Sequence, residues 1–135
     1  MPAAPFGAVL GIAPGGVTAH SSDYDSADER AYPNRAAFRS EVDGVYLGYK
    51  WQCVEFARRW LYVNRGYVFD DVAMAYEIFR LDSVRRTDTG ERLPLRAFRN
   101  GSRRRPERGC LLVWDEGGTF ERTGHVAEVE AVSDH

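Results

Sequence analysis

The sequence predicts a single α+β domain, and three observations carry that prediction. A chain of 135 residues is long enough for one self-sufficient core and short for two. Its middle holds a strongly periodic helical segment, "YKWQCVEFARRWLY" at 49–62. Both flanks carry short apolar runs separated by turn residues, which is the grammar of strands. The expected architecture is therefore helices packed on a small antiparallel sheet.

Residues 1–48 are rich in turn signals. The short runs Val9 to Ile12 and Val17 to Ala19 are split by Pro14, Gly15 and Gly16, predicting one or two short strands or an extended arm on the core. "SSDYDSADERAYPN" is polar and reads as surface loop, after which Tyr46 and Leu47 lead the chain inward. The first helix is expected over 51–64, with Val54, Ala57 and Leu61 on one face, Cys53, Phe56 and Trp60 on its neighbour, and Gly66 as the stop. A second helix is expected over 70–81, N-capped by Asp70, burying Val72, Ala75, Tyr76 and Phe79. After Pro94 the pattern changes to strands. "CLLVW" at 110–114 runs into the turn "DEGG". "GHVAEVEAV" at 124–132 alternates, with His125, Ala127, Val129 and Ala131 on one face and Val126, Glu128, Glu130 and Val132 on the other. The paired glutamates suit a sheet edge.

Composition removes several function classes. Eighteen basic and 20 acidic residues give a formal charge of -2, no footprint for nucleic acid. The basic run "RNGSRRRPER" at 99–108 has no interleaved aromatic residues to stack bases and reads as an exposed loop. No apolar stretch approaches the roughly 20 residues that span a bilayer. The N-terminus lacks the basic opening of a signal peptide, so a cytosolic location is expected, where free thiols persist. Two cysteines make no disulfide framework. Metal motifs and a phosphate-binding Gly-rich loop are absent, so no cofactor or metal is expected.

One constellation can do chemistry. Cys53 falls in the first turn of the predicted helix, where unpaired N–H groups and the dipole favour a thiolate. Gln52 places an amide donor beside the Cys53 backbone N–H, a pair suited to an oxyanion hole. The competing reading of Cys53 is a small buried core residue. His125 opens an alternating strand directly after Gly124, where an imidazole needs a polar partner and a facing thiol would supply one. Its competing reading is a structural histidine at a strand entrance. His20, in "TAHSSDY", is a weaker candidate. Cys110 enters an apolar strand and is expected in the core. Arg58, read from the helix alone, is a solvent-facing charge.

Taken together, "APFGAVLGIAPGGVTAHSSDYD", "FRSEVDGVYLGYKWQCVEFARRW", "DDVAMAYEIF", "LPLRAFRNGS", "LLVWDEGGTF" and "TGHVA" carry a family likeness over nearly the whole chain. The sequence resembles the CHAP amidases, which have a papain-like cysteine hydrolase fold. More closely, it is similar to the amidase domain of bifunctional glutathionylspermidine synthetase/amidases. The resemblance implies Cys53 as nucleophile, His125 as general base and acid, and Gln52 in the oxyanion hole. It implies that Arg58 engages a carboxylate of a glutathione–polyamine conjugate, the small-molecule partner expected here. In the family a glutamate on the following strand orients the histidine. This chain ends at His135 before that strand, so a C-terminally incomplete CHAP domain over 1–135 is expected, without the synthetase domain. Glu128 and Glu130 are not expected to substitute, since both point away from the His125 face. The implied reaction is hydrolysis of glutathionylspermidine to glutathione and spermidine through a cysteinyl thioester. The alternatives are a peptidoglycan amidase and a catalytically impaired binding domain of the same fold.

Overall fold

A computed structural model describes residues 4–99, 103, 105, 107–114 and 125–128. The element order begins with a hairpin of β1 (Val9–Ala13) and β2 (Val17–His20), then a second hairpin of β3 (Arg39–Val42) and β4 (Val45–Tyr49). Next come helix α1 (Cys53–Arg65) and a three-stranded sheet of β5 (Tyr67–Phe69), β6 (Ser83–Arg86) and β7 (Arg92–Pro94). β8 (Leu111–Trp114) and β9 (His125–Glu128) follow as an antiparallel pair, with Trp114 opposite His125. The architecture is α+β with small antiparallel sheets packed around α1, as expected, and among the described residues the strands fall into four such sheets.

The N-terminal segment is a true hairpin, because Pro14-Gly15-Gly16 reverses the chain and the Gly16 N–H donates to the Ala13 carbonyl (3.0 Å). The indole N–H of Trp60 donates to the Pro14 carbonyl (3.0 Å), which ties that turn to α1. Helix α1 is central, packing on β2, β4, β5 and β9. Its Ala57, Trp60 and Leu61 join Val17, Phe69, Ala75, Ile78, Val84 and Val126 in one core. The helix ends where the periodicity predicts. Gly66 is left-handed (φ 74°), and its N–H donates to the Tyr62 carbonyl (3.0 Å). A Cβ is disfavoured there, so Gly66→Ala is expected to destabilise the fold by about 1–2 kcal/mol, read from urea denaturation midpoints.

The segment 70–81 departs from expectation. It contains no α-helix. Tyr67–Phe69 pairs with β6 as a strand, and the only helical turn is a 3-10 helix at Ala75–Arg80. Asp70 does not cap it, because its carboxylate accepts from Arg92 (2.9 Å). The Met74 N–H instead donates to the Glu77 side chain (2.8 Å). With three residues per turn, Ala75 and Ile78 share the buried face and Leu81 follows them, while Phe79 turns outward. The α-helical spacing had placed Phe79 inside.

Cys110 is also corrected. Its side chain is exposed just before β8, where the sulfur accepts the Glu107 N–H (3.3 Å). β8 is covered on one face only, so Leu111 and Val113 pack on the core while Leu112 and Trp114 stay exposed. The described arginines of the basic run, 99, 103, 105 and 108, are exposed as expected. The turn after Trp114 and the face assignments at 129–132 lie outside the described residues, as do the side chains of Glu128 and Glu130. Among the described residues, no helix is long and apolar enough to cross a membrane.

Candidate active site

The site is built around the start of α1. Gln52 is the N-cap residue, with extended backbone (φ -69°, ψ 160°), and its carbonyl accepts the first intrahelical bond from Phe56 (3.0 Å). The Cys53 N–H therefore has no intrahelical acceptor. The Gln52 side chain does not cap the helix, so its amide is not spent on the local backbone. Cys53 is a free thiol and half-buried, which is not the closed core position its small apolar character also allowed.

A cleft of about 350 Å³ opens over this terminus. Trp51, Gln52 and Cys53 line it from the helix start, with Phe56 and Arg59 behind them. β2 and the chain after it contribute Ala19, His20 and Ser22, and β9 contributes His125, Val126 and Ala127. The alternation of β9 explains its part. Val126 enters the core, while His125 and Ala127 are half-buried. The His125 ring also lies against Trp114 across the strand pair, with centroids 5.4 Å apart. Three residues singled out in the sequence, Cys53, Gln52 and His125, thus share one cleft, and His20, the weaker candidate, joins them.

Arg58 lies elsewhere. It is not among the cleft-lining residues, and it is not the solvent-facing charge that the helix pattern alone suggests. Only 5% exposed, it sits between Tyr46 and Phe69 with Asp71 3.6 Å away. Burial lowers its pKa and the Asp71 carboxylate acts in the opposite sense. Its Nε and Nη1 have no hydrogen-bond partner among the described residues. That leaves donors of a strong cation unspent in a low-dielectric setting.

Sequence reasoning missed the support beneath the cleft. Glu55 is fully buried, accepting from the Ser40 hydroxyl (2.7 Å) and from Arg59 Nε (2.9 Å). This fixes the Arg59 guanidinium over the Trp51 ring (5.2 Å) and the Phe56 ring (5.5 Å). Gly48 on β4 permits the approach, since a Cβ there would stand 3.4 Å from the Glu55 Cβ in a backbone conformation (φ 121°) that L-residues rarely adopt. The spacing of Glu55 and Arg59 is a helical ion-pair signal in the sequence. The partner Ser40 is not legible there. The Tyr24 hydroxyl donates to the Lys50 carbonyl and braces the chain entering Trp51. Its pKa is pushed up to about 12, chiefly by burial and then by the Glu55 charge, with Gln52 pulling the other way through a side-chain hydrogen bond. Among the described residues, no group of three metal-ligating side chains is gathered.

Comparison with known proteins places this geometry in a lineage. The chain is 58% identical over 124 residues to the "Bifunctional glutathionylspermidine synthetase/amidase" of Escherichia coli (strain K12), covering 92% of this chain and 20% of that protein. It is 39% identical over 130 residues to the "Trypanothione synthetase" of Crithidia fasciculata, covering 96% of this chain and 19% of the relative. Identity to the "Glutathionylspermidine synthase" of the same organism is 29% over 147 residues, or 95% of this chain and 19% of the relative. The chain thus spans about a fifth of the length of the curated relatives it matches. The sequence profile of the CHAP domain matches residues 44–135, from the turn before β4 to the last residue. That span contains the helix bearing Cys53 and the strand bearing His125, and by it the chain belongs to the CHAP domain family.

Proposed function

We propose that this chain is a thiol amidase that hydrolyses the amide joining the glycine end of glutathione to spermidine. The observation that carries the reading is the shared cleft of Cys53, Gln52 and His125 in a CHAP domain. The name of its 58%-identical relative supplies the substrate class. His125 takes the proton from Cys53, and the thiolate attacks the amide carbonyl. The Gln52 side chain and the Cys53 N–H receive the charge that develops on oxygen. His125 then protonates the departing amine, and water, deprotonated by the same imidazole, hydrolyses the thioester. Arg58 is the candidate for a carboxylate of the glutathione half on guanidinium chemistry and the family likeness alone, since it is buried beside Asp71 and outside the residues that line the Cys53 cleft. The proposed unit is a CHAP amidase domain over 1–135, acting in the cytosol.

The test is release of spermidine from glutathionylspermidine by the purified chain, run beside a peptidoglycan digest. Turnover of the conjugate alone is expected. Cleavage of peptidoglycan alone transfers the same chemistry to another substrate, and a cooperatively folded chain that cleaves neither sinks the hydrolytic reading. Gln52→Ala is expected to lower kcat by about 10²–10³-fold, the usual effect of removing one oxyanion donor. The same variant should leave KM within a small factor, because the donor acts on charge that appears only in the transition state.

A further inference from the structure

His20 is the second imidazole of the cleft, and the fold holds it at defined contacts. It ends β2, opposite Val9 in the first hairpin. Its ring stacks on Trp51, with centroids 4.0 Å apart and planes 23° from parallel. Its Nδ1 lies 3.0 Å from the Gly7 carbonyl oxygen. A carbonyl only accepts, so Nδ1 carries the proton and the neutral ring presents Nε2 as an acceptor. Trp51 in turn lies under Arg59, which the buried Glu55 holds in place. In its neutral form His20 is therefore an oriented, tautomer-fixed acceptor lining the same cleft as Cys53, supplied by a different sheet from the one that carries His125.

An acceptor of this kind beside an aromatic surface suits the amine half of a glutathione–amine conjugate better than the glutathione half. The glutathione half keeps one carboxylate in the conjugate, an acceptor that gains nothing from a lone pair, and its α-ammonium sits on a short polar stem. The amine half brings N–H donors, cationic at neutral pH, on an apolar methylene chain. The Nε2 lone pair satisfies such a donor, and the stacked imidazole and indole offer the methylenes an aromatic surface. We propose that His20 is a specificity-determining residue that binds the amine half of the substrate through Nε2. The proposal rests on the amidase reading above and assigns one end of the cleft within it.

The experiment compares two substrates, glutathionylspermidine and the propylamide of glutathione, which keeps the scissile bond but has no cationic arm. His20→Asn retains a donor for the Gly7 carbonyl and removes the Nε2 acceptor. His20→Phe retains the ring stack on Trp51 and removes both nitrogens. Each variant is expected to raise KM for glutathionylspermidine about ten-fold, the scale of a lost hydrogen bond to a charged group. KM for the propylamide and kcat for both substrates should stay within about two-fold of the parent, as for uniform binding confined to the arm. Equal losses on both substrates, or no change on either, overturn the proposal. A parent protein that cleaves neither substrate refutes the amidase reading instead. Calorimetric titration with free spermidine then decides the role of His20: binding weakened in both variants supports it, and equal binding, or none to any of the three proteins, overturns it.

Discussion

Cys53→Ala lowers kcat/KM for glutathionylspermidine by at least about 10⁴-fold, the loss expected when a covalent nucleophile is deleted from an otherwise intact site. The fold survives the change. Cys53 is half-buried and borders the cleft, so removing its sulfur forfeits roughly what one buried methylene does, about 0.8 kcal/mol or less. Activity and stability should therefore separate. A thermal melt within a few degrees of the parent, together with loss of spermidine release, is the predicted pair. Substantial turnover in the variant would mean that another group performs the attack.

The largest effect on stability is expected from Glu55→Ala. The carboxylate is fully buried beneath β4 and satisfies both Ser40 and Arg59. Arg59 itself is only 8% exposed. Removing Glu55 strands that guanidinium with two aromatic rings and leaves the Ser40 hydroxyl without its acceptor. Breaking a buried pair from one side costs about 3–5 kcal/mol. Contact of Arg59 with the cleft admits some water, so the lower end, about 3 kcal/mol, is expected. In a domain of this size that is a fall in Tm on the order of 10 °C. Adding Arg59→Met to Glu55→Ala should recover part of the loss, because the unpaired cation is then gone. A double variant no more stable than Glu55→Ala would show that the cost lies in packing against Gly48 rather than in the stranded charge.

What could be read from the sequence follows the range over which each signal acts. The helix at Cys53 and its stop at Gly66 are legible because periodicity and a left-handed cap are local, whereas the Pro-Gly-Gly turn marks short strands or an arm at 9–19 without showing that they pair as a hairpin. The family likeness was legible in the order of its segments, and the CHAP profile agrees with it. The segment at 70–81 misled because Ala75 and Ile78 fit a 3-10 turn, whereas Val72, Ala75, Tyr76 and Phe79 also fit an α-helical face. Cys110 misled because a four-residue apolar strand gives no sign of which face is covered. Glu55, Arg58 and Arg59 look like an ordinary charged helix surface. They are buried because Ser40, Trp51, Tyr46 and Phe69 reach them from elements remote in the fold, a tertiary fact without a local signature. For the same reason no local signal brings Trp51 and Arg59 to the cleft or gives His20 its place there.

The most direct test of the central claim is mass spectrometry of the chain, acid-quenched during turnover of glutathionylspermidine and then digested. A thiol amidase predicts an adduct equal to glutathione less water on the peptide that carries Cys53, labile to hydroxylamine as a thioester is. Sustained spermidine release with that peptide unmodified, and the adduct on another residue, would contradict the account.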